Sequence, residues 1–383
     1  MQEELNFDNI RPYTEEEAKD AIQRIMKQDE FQAILDYIFE KKDHEALREK
    51  TSCAQTIHEF QVSFMGPLVR RIQQKTSDGV TTTGFEKLGA NDPRLFIANH
   101  RDITLDSSIL ANQLVEHGFE TCEVTWGDNL MVSPFVVDFG KINRMITVFR
   151  EGSPREMLVM SQRLSAYIRK RITEGNKSVW IAQSKGRTKD GSDKTDVGVL
   201  KMLTLSGKDS LIEKVKALNL TPVTISFEWE PCDALKVREL YVSQKEKYVK
   251  EKTEDLNSII GGIMGHKGHI HLSIGKPVNE LFNDSHHDLV HKDLLKEISH
   301  FIDREMYRNF KLWPSHYYAY DQLNQTNRFA EQYDAEVAEQ FKNRKLRALN
   351  RIGDSISDKE LAEKIFLSIY ANPVINKIEN DFL

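Results

Sequence analysis

Residues 94–118 read RLFIANHRDITLDSSILANQLVEHG. The run RLFIAN (94–99) predicts a short buried strand. The stretch DSSILANQLVEHG (106–118) opens on Asp, carries an apolar stripe and stops at Gly, which predicts a helix. A strand that passes through a short polar loop into a helix is half of a βαβ unit, and the alternation continues down the chain. TCEVTWG (121–127), MITVF (145–149), SVWIA (178–182), TPVTISFEWEP (221–231) and HIHLSIG (269–275) predict further strands, and SPREMLVMSQRLSAYIRKRITEG (153–175) predicts a long helix with an early Pro and a final Gly. The expected fold is α/β, a mixed and mainly parallel sheet flanked by helices, over residues 80–282. Residues 1–79 read as a helical N-terminal region, and SDGVTTTGFEKLGANDP (77–93) as a turn-rich linker with room for one short strand. Residues 283–383 read as a helical C-terminal extension whose last apolar stripe, Leu361, Ile365, Phe366 and Ile369, is expected to pack on the body of the protein.

The 383 residues, 39% hydrophobic and 29% charged, suit a soluble globular protein of one large or two modest domains. No apolar run approaches the ~20 residues that cross a bilayer. The first ten residues, MQEELNFDNI, are acidic and do not read as a secretory signal. Cys53, Cys122 and Cys232 lie far apart, which fits a reduced cytoplasmic setting. The net charge of −6 hides an asymmetry: residues 141–201 hold 14 Lys and Arg against 6 Asp and Glu, a balance of +8 that leaves −14 for the rest. A basic middle in an acidic whole points to an anionic ligand or surface, not to nucleic acid.

In α/β sheets chemistry gathers on the loops that leave the carboxyl ends of strands. Three such loops stand out. After Asn99 comes His100, with Asp106 opening the next helix; a His beside a carboxylate can serve as a general base, the carboxylate orienting the imidazole. The same residues also read as a strand end and a helix N-cap. No Ser or Cys sits in a nucleophile-elbow context, so a covalent acyl-enzyme is not indicated. After Phe149 comes Arg150, suited to bidentate recognition of phosphate or carboxylate, or to a surface ion pair with Glu151 or Glu156. After Ala182 comes QSKGRT, where Gly186 lets the backbone approach a ligand and Lys185, Arg187 and Lys189 surround it; a solvated turn would look the same.

Taken in order and spacing, these loops resemble the glycerolipid and lysophospholipid acyltransferase family, that of glycerol-3-phosphate and 1-acylglycerol-3-phosphate acyltransferases. The lead-in Gly84-Phe85-Glu86-Lys87-Leu88, the Asn99-His100 strand end with Asp106, VFRE with Arg150, QSKGRT, and LTPVTIS with Pro222 match its successive motifs over about residues 80–280. The resemblance implies acyl transfer from an acyl carrier protein or coenzyme A thioester to a hydroxyl of a glycerolipid precursor or lysolipid. His100 and Asp106 would be catalytic, and Arg101, Asp102, Arg150, Lys185, Gly186, Arg187 and Thr188 would bind substrate. It implies no metal or organic cofactor, and a bacterial-type enzyme at the inner face of the membrane, peripherally bound. A non-catalytic phosphate- or lipid-binding relative and an acyl-ester hydrolase are the competing readings.

Two features depart from the family pattern. Five residues rather than four separate His100 from Asp106, so RDITL is expected to be partly non-helical, and Asp102 is a rival partner for the imidazole. Lys185 stands where the family has Glu. Outside the motifs, His266, His269 and His271 in GHKGHIH read as surface or strand residues, because no Cys or clustered carboxylate nearby completes a ligand set. Ile57, Phe60, Phe64, Leu68 and Ile72 share one helical face next to Arg70, Arg71 and Lys75. That face suits either a cover for the α/β core or an interfacial helix on anionic lipid.

Overall fold

The apolar runs become strands because each is buried on two faces. The computed structural model describes residues 6–251 and 253–383. Seven strands, β1 (Gly79–Thr83), β2 (Leu95–Ala98), β3 (Glu123–Gly127), β4 (Met145–Val148), β5 (Val179–Ala182), β6 (Thr221–Phe227) and β7 (His269–Ile274), form one sheet in the order β1-β7-β6-β2-β5-β3-β4. Strands β2 to β6 run parallel to one another. Strand β7 lies antiparallel to β6 and parallel to β1. This is the mixed, mainly parallel sheet expected. Every residue of β2 and β6 is buried; β2 (LFIA) accordingly reads as an unbroken apolar run, while β6 (TPVTISF) alternates apolar residues with small hydroxyl ones.

Alternation along β2 divides the core. Phe96 and Ala98 join Trp180 of β5 and the N-terminal helices in one cluster. Leu95 and Ile97 face the opposite layer, built from the helices Pro154–Thr173 and His291–Asn309. The N-terminal region is therefore a layer of the α/β core. Phe60 and Phe64 are fully buried, and Phe64 stacks on Phe31 with ring centroids 4.9 Å apart. The neighbouring cations are taken up by the protein: Arg70 donates to Asn112, Arg71 pairs with Glu40 at 2.9 Å and Lys75 donates to the Tyr37 carbonyl. Of the two readings of this face, the core cover is correct and the interfacial helix is not. Phe64→Asp would lose the packing of a buried aromatic, about 3–5 kcal/mol, and bury an unpaired charge as well. A urea melt of that variant is expected to show a collapsed midpoint, and an unchanged midpoint would return the helix to the surface.

The C-terminal extension forms a third cluster. Phe366, Ile369 and Tyr370 of the last helix (Lys359–Glu379) pack with Phe341 and with Val237 of the helix Asp233–Ser243. Five helices that the sequence reading did not mark appear: Pro134–Ile142, Val197–Leu203, Leu211–Lys216, Asp233–Ser243 and Glu254–Met264. Two of them are only 6 and 7 residues long. In Glu254–Met264 the pattern is blurred because Leu256 and Ile260 point to solvent while Glu254 and Ser258 are buried. Among the described residues, no helix is long and apolar enough to cross a membrane.

Candidate active site

His100 falls in step with Phe96 and Ala98, so the pleat of β2 aims it at the N-terminal layer, beside the helix Leu105–Glu116. Asn99 fixes the strand end. Its side chain donates to the Ile225 carbonyl at 2.9 Å and accepts from the Ile225 N–H at 2.8 Å, tying β2 to β6. Residues 101–104 are non-helical, as the five-residue spacing requires, and the helix begins at Leu105. Asp106 in its first turn reaches back: its Oδ2 lies 2.9 Å from His100 Nδ1 and also accepts from the peptide N–H groups of Arg101 at 2.6 Å and Asp102 at 2.9 Å. The two peptide bonds hold the carboxylate still, so it in turn fixes the imidazole. Burial raises the Asp106 carboxyl above its usual range, and the hydrogen bond with His100 offsets only part of that rise. Trp180 packs edge-on to the imidazole with centroids 5.5 Å apart. Among the described residues His100 Nε2 makes no hydrogen bond, so the edge of the ring opposite Asp106 is open for a proton.

Asp102 is the cap, not the partner. Its Oδ1 accepts from the N–H groups of Thr104 at 2.9 Å and Leu105 at 2.8 Å, and its side chain is fully buried. Arg101 is equally buried: it pairs with Glu230 at 2.7 Å and with Asp193, and its guanidinium lies over the Phe310 ring. Glu230 also pairs with buried Lys236 at 2.7 Å. Burial alone would raise the Glu230 carboxyl, but Arg101 and Lys236 hold it below its usual range. Arg101 and Asp102 were expected to bind substrate; in the structure neither side chain reaches solvent.

The glycine loop meets the His directly. Gly186 adopts φ +89°, a left-handed turn open to glycine at no steric cost. That turn brings the Thr188 N–H to the His100 carbonyl at 2.7 Å. Arg187 is buried and donates to Ser258 Oγ at 3.1 Å, while its other terminal nitrogen, Nη1, is buried without a partner. Lys185 is exposed, and Lys189 is occupied by Glu239 at 2.8 Å. Arg150 leaves β4, three strands from β2 or about 14 Å by strand spacing. It folds back over Gly127 at the end of β3, where an added methyl would meet its Nε at 2.6 Å. Glu156 caps the following helix with Ser153, and among the described residues no salt bridge engages Arg150. Arg150, Lys185 and Arg187 thus share the sheet edge of His100 with donors to spare.

The remaining excess of cations in residues 141–201 is largely structural. Buried Lys141 donates to the carbonyls of Ile10 and Arg11, Arg171 pairs with Glu123 at 2.8 Å, and Lys177 pairs with Glu120. At the strand ends, Arg150, Lys185 and Arg187 have no carboxylate partner among the described residues.

The C-terminal extension reaches this edge. The tail helix pins the glycine loop through Asn372, which donates to the Asp190 carbonyl at 2.7 Å, and Asn376, which donates to that of Ser192 at 3.0 Å. The helix Glu254–Met264 lies across the loops, with Ser258 on Arg187 and Asp255 accepting from Asn129 at 2.9 Å. Trp180 and Ser258 were absent from the sequence-based site. Trp180 was legible in principle, since a strand SVWIA beside RLFIAN sets it opposite Phe96. Ser258 had no local signal. A cleft of about 370 Å³ lies elsewhere, lined by Thr82, Phe85, His117 and Phe119, by the β1 end and the helix that follows β2.

The fold and these contacts define an α/β protein with a histidine–carboxylate pair at the carboxyl edge of its central strand and cations on the neighbouring loops. No family model matches the sequence, and no curated protein matches it. Among solved structures it is similar to the 1-acyl-sn-glycerophosphate (LPA) acyltransferase PlsC from Thermotoga maritima, at 14% identity and a TM-score of 0.35, over 76% of this chain and 95% of that one.

Proposed function

We propose that this protein is an O-acyltransferase that moves a fatty acyl group from an acyl carrier protein or coenzyme A thioester to a hydroxyl of a phosphate-bearing glycerolipid precursor or lysolipid. The observation that carries the reading is the His100–Asp106 pair, held by two peptide N–H groups and open at Nε2. The acceptor hydroxyl gives its proton to His100 Nε2 as its oxygen bonds to the thioester carbonyl carbon. Asp106 stabilises the imidazolium that forms. The tetrahedral adduct then expels the thiolate, the C–S bond breaks, and the imidazolium returns the proton to sulfur, so the products are an ester and a free thiol. Arg150, Arg187 and Lys185 hold the acceptor's anionic headgroup and place its hydroxyl, which converts an encounter into a positioned reaction. The chemistry as written calls on no cofactor. Substrate and product are lipids, so the enzyme works at a membrane surface from the cytoplasmic side.

The test is direct. Purified protein is given acyl carrier protein and coenzyme A thioesters with a panel of glycerol phosphate, lysophosphatidic acid and neutral lysolipids, and products are read by mass spectrometry. Ester formed only with phosphate-bearing acceptors is the expected result. Fatty acid released without any acceptor would make the protein a hydrolase. Arg150→Ala and Arg187→Ala should each raise the acceptor KM by about ten- to hundredfold, the loss of a charge-assisted hydrogen bond of about 1.5–3 kcal/mol, with donor KM little changed. Equal effects on donor and acceptor would move these cations to the donor's phosphates.

A further inference from the structure

The turn between the helix Glu254–Met264 and β7 carries His266 and His269, for which the neighbouring sequence offers no ligand partners. The fold supplies them. Asp78, just before β1, and Glu228, just after β6, meet this turn from 191 and 41 residues away in the chain. One ligand atom each from Asp78, Glu228 and His269 lie within 4.8 Å of one another. His269 Nδ1 is 2.8 Å from Glu228 Oε2, and His266 Nε2 is 3.4 Å from Asp78 Oδ1.

We infer that Asp78, Glu228 and His269, with water completing the coordination, form a binding site for a divalent transition ion of the zinc class. A tetrahedral ion with bonds of about 2.0–2.1 Å separates its ligands by about 3.3–3.4 Å, and the three ligand atoms, all within 4.8 Å of one another, reach that spacing by small side-chain shifts. One imidazole with two carboxylates is a donor set that suits zinc, whereas calcium and magnesium prefer oxygen alone. The three chain segments are brought together independently of any ion. The Asp78 N–H donates to the Gly268 carbonyl at 2.8 Å, and the Glu228 N–H donates to the His269 carbonyl at 2.9 Å. The donors are also accessible, since both His269 and Asp78 are exposed. An ion there would clamp the start of β1, the end of β6 and the start of β7. It would also stiffen the turn holding Lys267, whose buried ammonium donates to the Ile263 and Gly265 carbonyls and so closes the helix lying over the candidate active site.

The full-length protein, stripped with chelator and dialysed, is titrated with Zn²⁺ alone by calorimetry and melted with and without the ion. One saturable equivalent and a higher melting temperature are expected. His269→Ala and Asp78→Asn should each weaken that equivalent by about tenfold or more, whereas exposed His58→Ala should not. Absence of saturable binding, or an affinity unchanged in His269→Ala, overturns the site. Co²⁺ provides a second measure on the unaltered protein: intense visible bands are expected of a four-coordinate site, and the weak bands of an octahedral, mostly hydrated ion would also overturn it.

Discussion

His100→Ala lowers the transfer rate constant by about 10²–10⁴-fold, the usual contribution of a positioned general base. Its melting temperature stays close to that of the parent, because the one side-chain hydrogen bond lost is that to Asp106. Asp106→Asn comes next: the amide keeps one oxygen for the Arg101 and Asp102 peptides but cannot stabilise an imidazolium. Asp102→Asn costs least, since its retained carbonyl oxygen can still accept from Thr104 and Leu105. Single-turnover rates of the three variants with acyl-carrier and coenzyme A donors check the order. Full activity in His100→Ala ends the mechanism, and a larger loss in Asp102→Asn than in Asp106→Asn moves the orienting role to Asp102.

Arg101→Ala fails by a different route. It strips the cation from between two buried carboxylates, Asp193 and Glu230, and leaves Glu230 with Lys236 alone. Breaking a buried pair in this way costs about 3–5 kcal/mol, a fall in melting temperature on the order of 5–15 °C. Asp193 also accepts from Asn99, so the damage spreads to the end of β2. At a temperature where the variant remains folded, its acceptor KM should match the parent. A normal melting temperature with a raised acceptor KM would restore Arg101 to the substrate.

The contrast between Arg101 and Arg150 shows where sequence reasoning stops. Both are arginines on strand-end loops, and a motif alone treats them alike. Which one meets substrate depends on what faces it. For Arg101 that is Asp193 and Glu230, 92 and 129 residues away. For Arg150 it is the bare backbone of Gly127. The same holds for several cations of residues 141–201, such as Lys141, Arg171 and Lys177, whose carbonyl or carboxylate partners lie elsewhere in the chain. The choice between Asp102 and Asp106 likewise needed the path of four non-helical residues, which spacing could require but not trace.

What the sequence by itself determined was local and periodic. Apolar patterns with Gly, Pro and Asp punctuation marked six of the seven strands, the helix after His100 and the long helix after Arg150, while β1 was only a place in a turn-rich linker where a short strand could fit. It also placed His100, Arg150 and the glycine loop at strand ends. Tertiary structure alone decided the strand order, the reversal at β7, and the orientation of Phe64 into the core. It also decided the contacts of Ser258 with Arg187 and of Trp180 with His100, and the convergence of Asp78 and Glu228 on two histidines. Those depend on side chains far apart in the chain meeting in space, and no periodicity along the chain encodes such a meeting.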